Sequence, residues 1–371
     1  MQIATPIVKH LVLIGGGHSH LAVLKRLGMR PVQGLAVTLI SRDINTPYSG
    51  SLPGLIAGIY EHDDIHIDLR PLAQFAGARI IQEEITEIDL VNKRIALPSR
   101  PAMDFDILSL NIGSNPDGDL IPGALRHATG IKPISEFLLK WREIFDAAVS
   151  SLKNQDTGFT LVIVGGGPAS VELAFSVQVS IYRQLGISLM ENSNLKIQII
   201  SADDDVLKSH NQAVRNFTRS ELKQRRIELV VNSLVTEFKA NTVICENGVE
   251  YSADAIVFAT GAKIPRWPAD CGLSITADGF IEVNNHLQST SHEFVFAAGD
   301  AATIKGANRP KSGVYAVRQG KPLAENLIRF ATTRNLKTYR PQRHALALMS
   351  MGDKKAIASR NNLFFKGSWV W

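Results

Sequence analysis

An α/β fold holding two copies of one parallel βαβ unit is what this sequence predicts, and three observations carry it. The segment "LVLIGGGHSH" (11–20) runs an apolar strand into glycines and then into a helix. The segment "FTLVIVGGGPASVELAFSVQV" (159–179) repeats that layout further along the chain. After each helix a second apolar strand returns, "LAVTLIS" ending at Ser41 and "LKIQIIS" ending at Ser201, as a βαβ crossover requires.

Taken in order, Leu11 to Ile14 reads as strand and Leu21 to Leu27 as helix, and in the second copy Thr160 to Val164 reads as strand with a helix from Ala169. "FDILSLNIGSNP" (105–116), "ADAIVFATGA" (253–262) and "HEFVFAAGDAA" (292–302) are apolar strands that end in glycine turns. "ISEFLLKWREIFDAAVSSL" (134–152) is helix-like, and Asn154 to Gly158 is a polar link between the copies. "GKPLAENLIRFATT" carries a helix to Thr333, after which short strands alternate with "MGDK" and "RNN" turns, giving a small terminal sheet. The expected domains are 1–153 with 268–334, an inserted 154–267, and a C-terminal cap or interface segment over 335–371, which a truncated chain would end abruptly.

The 371 residues are 45% hydrophobic and 20% charged, ordinary for globular protein and enough for several cores. Cys245 and Cys271 stand far apart in no metal or redox spacing, no metal constellation is readable, and the start "MQIATPIVKH" has no leader pattern. A cytoplasmic protein, peripheral to the inner face of a membrane at most, as monomer or homodimer, is expected. Net charge is +5, but 13 Lys or Arg against Glu325 and Asp353 make the chain from Asn308 onward +11, so the remainder is −6. An anionic membrane surface, a partner protein or a solvated basic face suits that tail; nucleic acid is not expected, because no recognition motif accompanies it.

In the glycine turns, Gly15 and Gly17, and again Gly165 and Gly167, fit the first two positions of a dinucleotide cradle: a tight turn, then close approach of backbone to pyrophosphate at a helix N-terminus. The third position, where Gly or Ala allows close packing of helix on strand, is His20 in the first copy and Ser170 in the second. His20 either points away from the sheet or takes part in the site.

This order of two glycine turns, an "ATG" strand and a "GD" strand resembles the pyridine nucleotide-disulfide oxidoreductase superfamily over nearly the full chain. "TPYSGSLPGLIAG", "IHIDLRPLA", "LSLNIGS" and "RPKSGVYAVRQGKPLAENL" look like its type II NADH dehydrogenase-like branch, and most like the flavoprotein module associated with selenophosphate synthetase (selenide, water dikinase). The resemblance implies two Rossmann-like domains and an FAD-dependent NAD(P)H oxidoreductase, with NADH favoured and NADPH the alternative. It also implies a small-molecule electron acceptor, quinone or another, and a selenophosphate synthetase domain or protein as partner. A flavin-binding redox sensor that docks on that partner or on a membrane is the alternative function.

By that resemblance FAD contacts fall on Gly15, Gly17, His18, Ser41, Arg42, Pro53, Ile85, Gly113, Gly299, Asp300, Gly313 and Val314. The nicotinamide dinucleotide contacts fall on Gly165, Gly167, Pro168, Ala169, Ser170, Ser201 and Gly261. Glu172 would stand beside the nicotinamide, and Lys311 beside the flavin. Ser41 replaces the usual ribose-binding acid, and Asp203, Asp204 and Asp205 would repel a 2′-phosphate, unless they serve only a solvated helix-capping loop. The family's redox cysteines are missing from the stretch 48–58, so electrons would leave the flavin directly. The paired glutamines of quinone reducers are replaced by Val314 and Arg318, and Arg318 with Lys311 suits an anionic acceptor or an anionic reduced flavin. His66 and His344 have no triad partners in sequence.

Overall fold

The structure is a computed structural model that describes residues 7–116, 121–153, 158–189 and 193–371. Of the expected polar link, 154–157 lie outside the described residues. The chain opens with β1 (Lys9–Ile14), α1 (His18–Met29) and β2 (Leu35–Ser41), and short helices follow, among them α2 (Leu52–Ile56) and α3 (Leu69–Phe75). Next come β3 (Arg79–Gln82), β4 (Ile107–Leu110), β5 (Thr129–Gly130) and α4 (Ile134–Lys153). The second copy of the motif is β6 (Phe159–Val164), α5 (Pro168–Leu185) and β7 (Leu195–Ile200), continued by α6 (Gln212–Gln224), β8 (Glu228–Val230) and β9 (Ala255–Phe258). The chain closes with β10 (Val295–Ala297), α7 (Gly313–Ala331), β11 (Ala347–Ser350), β12 (Ala356–Arg360) and β13 (Leu363–Gly367).

Two compact units result. The first takes in Met1–Tyr48, His66–Ser114 and Lys263–Arg343; the second takes in Ser49–Ile65, Asn115–Ala262 and His344–Trp371. Each is centred on a five-stranded parallel sheet, in the order β10-β4-β1-β2-β3 in the first and β5-β9-β6-β7-β8 in the second. The glycine-turn strand is central in both, with its βαβ partner on one side and the later glycine-ended strand on the other. That reversal of direction opens a crevice at the carboxyl ends of the central strands, where doubly wound sheets bind ligands.

The central strands are near-continuous runs of Val, Ile and Leu because both faces of a parallel sheet are covered. Leu11, Val12, Leu13, Ile107, Leu108 and Phe296 are fully buried in the first unit, as are Val162, Ile163, Ile199, Phe137 and Phe175 in the second. In the first unit α1 lies directly on α7: Gly320 permits the approach, since a Cβ there would stand 2.5 Å from Ala22 Cβ. Ser19 Oγ donates to the Ala316 carbonyl oxygen at 2.6 Å across the same contact.

The terminal sheet expected from the sequence is β11–β13, antiparallel, and it belongs to the second unit. Met349 and Ile357 enter the core that α5 builds, together with Leu52 and Ile56 of α2. Helix α1 starts at His18 and not Leu21, so both histidines are helical. Helix α7 stops at Ala331, two residues short of Thr333, whose φ of +53° ends the helical path.

Candidate functional site

At the carboxyl end of β1 the chain turns through Gly15 (φ +94°), whose N–H donates to the Ile40 carbonyl oxygen at 2.8 Å. A Cβ on Gly15 would lie 2.4 Å from Asn111 O, and one on Gly17 would lie 2.3 Å from Asn111 Oδ1. Both glycines are therefore required by Asn111, the residue that follows β4. Asn111 Oδ1 accepts from the amides of Ser19 (3.0 Å) and His20 (3.3 Å), and its Nδ2 donates to Ala298 O (2.8 Å). It caps α1 in place of a local N-cap side chain, which Gly17 does not have. The sequence reading missed Asn111, although it stands within "LSLNIGS". The amides of Gly16, Gly17 and His18 have no acceptor among the described residues. Backed by the positive end of α1, they fit the pyrophosphate of a dinucleotide.

His20 is fully buried behind this turn. Its Nδ1 stands 2.7 Å from the Gly15 carbonyl oxygen and its Nε2 2.9 Å from Ser109 Oγ. A carbonyl only accepts, so Nδ1 carries the proton and the Ser109 hydroxyl donates to Nε2. Burial pushes the imidazole down to about 4, which keeps it neutral. The departure at the third glycine position is thus a brace that ties the turn to β4.

His18, at the first position of α1, is partly buried and packs its ring 5.0 Å from that of Tyr48. Burial lowers its basicity, and the Asp300 carboxylate partly restores it. The Ser41 hydroxyl donates to Asp43 O at 2.7 Å, and Arg42 pairs with Asp43 at 3.0 Å. The acid beyond β2 is therefore Asp43, two residues past the strand end. Ile85 is buried, and Gly113 (φ +72°) has nothing near its Cβ direction. Gly299 donates its N–H to Gln319 Oε1 at 2.6 Å, and a Cβ on it would reach 2.5 Å from Asn111 Nδ2. Pro53 is buried in α2 of the second unit.

Gly313 and Val314 open α7, whose N-cap Ser312 makes no side-chain cap bond. Just before it, Lys311 Nζ donates to Ala302 O (2.5 Å) and Thr303 Oγ1 (2.8 Å) and sits 3.8 Å from the Phe280 ring centre. Burial pushes its ammonium down to about 8, against the pull of Asp300 and Asp278. Gly299, Asp300, Lys311 and Tyr315 line one shallow cleft.

The second cradle repeats the turn at the end of β6. Gly165 (φ +127°) donates to Ile200 O at 2.8 Å, and Gly167 caps α5 with open space where its Cβ would be. Pro168 fills the first helical position, where its missing N–H costs nothing. The amides of Gly166, Gly167, Ala169 and Ser170 have no acceptor among the described residues. Ser170 is fully buried with an unpartnered Oγ, 3.0 Å from the position of a Cβ on Gly165, so only a small residue fits there. Among the described residues nothing here corresponds to Asn111: the Thr260 methyl approaches Gly165 instead, beside Gly261 (φ +60°).

Glu172, one turn into α5, accepts from the Ser350 amide of β11 at 2.7 Å, and burial pushes its carboxyl up to about 8. Buried Ser201 accepts from the Asp203 amide at 3.2 Å. Of the three acids that follow, Asp205 is buried against Arg215 (3.6 Å) and Arg219 (3.7 Å), and Asp204 pairs with Lys208. Asp203 is exposed and forms no ion pair among the described residues. Both cysteines are free thiols whose basicity burial raises. Among the described residues there is no group of metal ligands.

The pyridine nucleotide-disulphide oxidoreductase family profile matches residues 9–320. The NADH dehydrogenase-like protein YutJ of Bacillus subtilis is 25% identical over 305 residues, covering 81% of this chain and 78% of that protein. The type II NADH:quinone oxidoreductase of Haemophilus influenzae is 23% identical over 97% of this chain and 88% of its own length. Among solved structures, NDH2 from Plasmodium falciparum has the same fold at a TM-score of 0.83 and 16% identity, over 98% of this chain and 93% of that one. By the profile match over most of its length, the chain belongs to the pyridine nucleotide-disulphide oxidoreductase family and is a flavin-dependent NAD(P)H oxidoreductase.

Proposed function

We propose that the first unit holds FAD, that the second holds NADH, and that electrons leave the reduced cofactor directly for a small-molecule acceptor without a redox disulfide. The observation that carries this reading is the duplicated turn with unpartnered amides, at Gly16, Gly17 and His18 and again at Gly166, Gly167, Ala169 and Ser170. When bound, the nicotinamide supplies a hydride and the flavin accepts it.

The residues around them bind, orient and set charge. Asp300 offers a carboxylate to the ribityl chain, and α7 directs its N-terminal amides toward the flavin. Lys311 adds a cation where charge develops. Glu172, held by the Ser350 amide, stays protonated near neutral pH and orients the nicotinamide as a neutral donor. No cysteine lies in the stretch 48–58, which favours direct transfer.

The similarity to a type II NADH:quinone oxidoreductase of Haemophilus influenzae supports a quinone as acceptor. Lys311 and Arg318 favour one that carries negative charge. No described helix is long and apolar enough to cross a membrane. The outer face of the terminal sheet aligns exposed Leu348 and Phe365 about Ala358 and carries Arg360, which suits contact with an anionic membrane surface. The selenophosphate synthetase association rests on the motifs quoted above.

Anaerobic mixing with NADH tests the reading: rapid bleaching near about 450 nm supports it. A yellow protein that neither NADH nor NADPH bleaches overturns it.

A further inference from the structure

Within the first unit, the loop before α7 and the segment after it converge on Gln342. Arg309 donates from Nε to the Gln342 carbonyl oxygen at 2.9 Å, and Arg318 donates from Nη1 to the Gln342 side-chain oxygen. One neutral residue thus holds two guanidiniums by its two oxygens. Its own amide nitrogen, Nε2, is buried and has no acceptor among the described residues. Neither arginine has a carboxylate partner among the described residues; Arg309 spends Nη1 on the Asn308 carbonyl oxygen at 2.7 Å.

The Tyr339 phenol lies within electrostatic reach of both guanidiniums and of Tyr315. Arg309 and Tyr315 also line the cleft that holds Lys311 and Asp300.

Two like charges bonded to one neutral residue gain nothing from each other, and a buried N–H without an acceptor is costly, so an anion would complement the cluster. Asp300 is the one carboxylate lining that cleft, and Lys311 lines it too. Paired guanidiniums and an amide NH2 present the flat array of donors that carboxylate and phosphate oxygens accept.

We propose that Arg309, Arg318 and Gln342 form a binding site for an oxyanion group, carboxylate or phosphate. The site itself does not rest on the oxidoreductase reading. Its use as an anchor for the acceptor does.

Inorganic phosphate, titrated calorimetrically into the oxidised, FAD-loaded protein with no nicotinamide present, tests the site. Saturable binding is expected, weakened about ten-fold or more by Arg318→Gln or Arg309→Gln. Gln342→Glu places a carboxylate between the guanidiniums and is expected to abolish phosphate binding while raising the thermal midpoint, a result that misfolding cannot imitate. No saturation in the wild type, saturation untouched by all three variants, or release of FAD as phosphate binds would each overturn the proposal.

Reoxidation of the reduced protein then separates the sources of the anion. If the acceptor carries it, phosphate competes with a carboxylate-bearing naphthoquinone but not with menadione, a neutral quinone, and Arg318→Gln slows only the carboxylate-bearing one. If the anion is a free ligand, phosphate still saturates and both acceptors respond alike. Failure of NADH to bleach the flavin would leave the phosphate result standing, so the two readings fail separately.

Discussion

The imidazole of His20 donates from Nδ1 to the Gly15 carbonyl oxygen at 2.7 Å, so the residue at the third glycine position holds the first glycine in place. Removing it leaves that carbonyl and the Ser109 hydroxyl without their partner and opens a cavity beneath the turn. His20→Ala should lose about 2–4 kcal/mol in denaturant unfolding and release flavin more readily, read as a falling ratio of flavin to protein absorbance.

The same residue makes a pH prediction. Its folded value of about 4 lies below the ordinary 6.5, so its contribution is fully present above pH 6.5 and is lost as pH falls through about 4. His20→Gln should flatten the stability profile over that window. An unchanged acid slope would show that His20 titrates normally and that its two bonds are not those described.

Glu172 has the opposite sign. Its folded value, about 8, lies above the ordinary 4.5, so its stability contribution is complete below pH 4.5 and is lost as pH rises through about 8. Glu172→Gln retains an oxygen to accept from Ser350 and removes the ionisation. The variant should gain roughly 2–4 kcal/mol on the wild type between acid and alkaline pH, measured as denaturation midpoints. It should also slow bleaching by NADH about ten-fold or more while FAD stays bound. Unchanged bleaching would remove Glu172 from the nicotinamide site.

The duplicated turns were legible because they are local: apolar strand, glycines and amphipathic helix lie within about 20 residues, and the period of each element shows in the sequence. Asn111 was not, since its role arises only when β4 comes to lie beside β1, which brings its side chain to an amide 92 positions away. Sequence spacing carries no trace of such a contact.

Ser41 stands where the resemblance places a ribose-binding acid, and Ser201 ends the equivalent strand of the second copy. In the structure each hydroxyl bonds to the backbone of an aspartate two residues on, Asp43 or Asp203. The repeated Ser-x-Asp was visible in both copies, but its meaning depends on how the loop folds back after the strand. The three aspartates at 203–205 likewise look equivalent as letters, and burial separates them.

Lys311 is half withdrawn from water, with two oxygens and the Phe280 ring around its ammonium. With a folded value of about 8 against 10.5, its stability contribution is complete above pH 10.5 and is lost as pH falls through about 8. Lys311→Met should therefore be more stable than wild type at neutral pH. With Lys311 beside the flavin, as proposed, the cation would favour the reduced, more negative cofactor. Its loss should lower the midpoint potential by about 30 mV or more at neutral pH, with the gap closing above pH 8. Spectroelectrochemical titration of both proteins checks this, and equal potentials would place Lys311 away from the flavin.

We expect Asp203 to decide the choice of nucleotide. Asp205 is consumed by Arg215 and Arg219, and Asp204 by Lys208, so the run of three acids presents one open carboxylate to the crevice-side loop. A ribose hydroxyl can donate to that carboxylate, whereas a 2′-phosphate meets it as a like charge. Asp203→Ala should weaken NADH and relieve NADPH together, shifting the ratio of kcat/KM values toward NADPH by about ten-fold or more. Asp204→Ala should leave the ratio within about two-fold, because it frees Lys208 from an exposed pair worth little. Flavin bleaching with each nucleotide measures both variants. If Asp204→Ala moves the ratio and Asp203→Ala does not, the discriminating acid is the one Lys208 holds, and the loop reads the ribose from its far side.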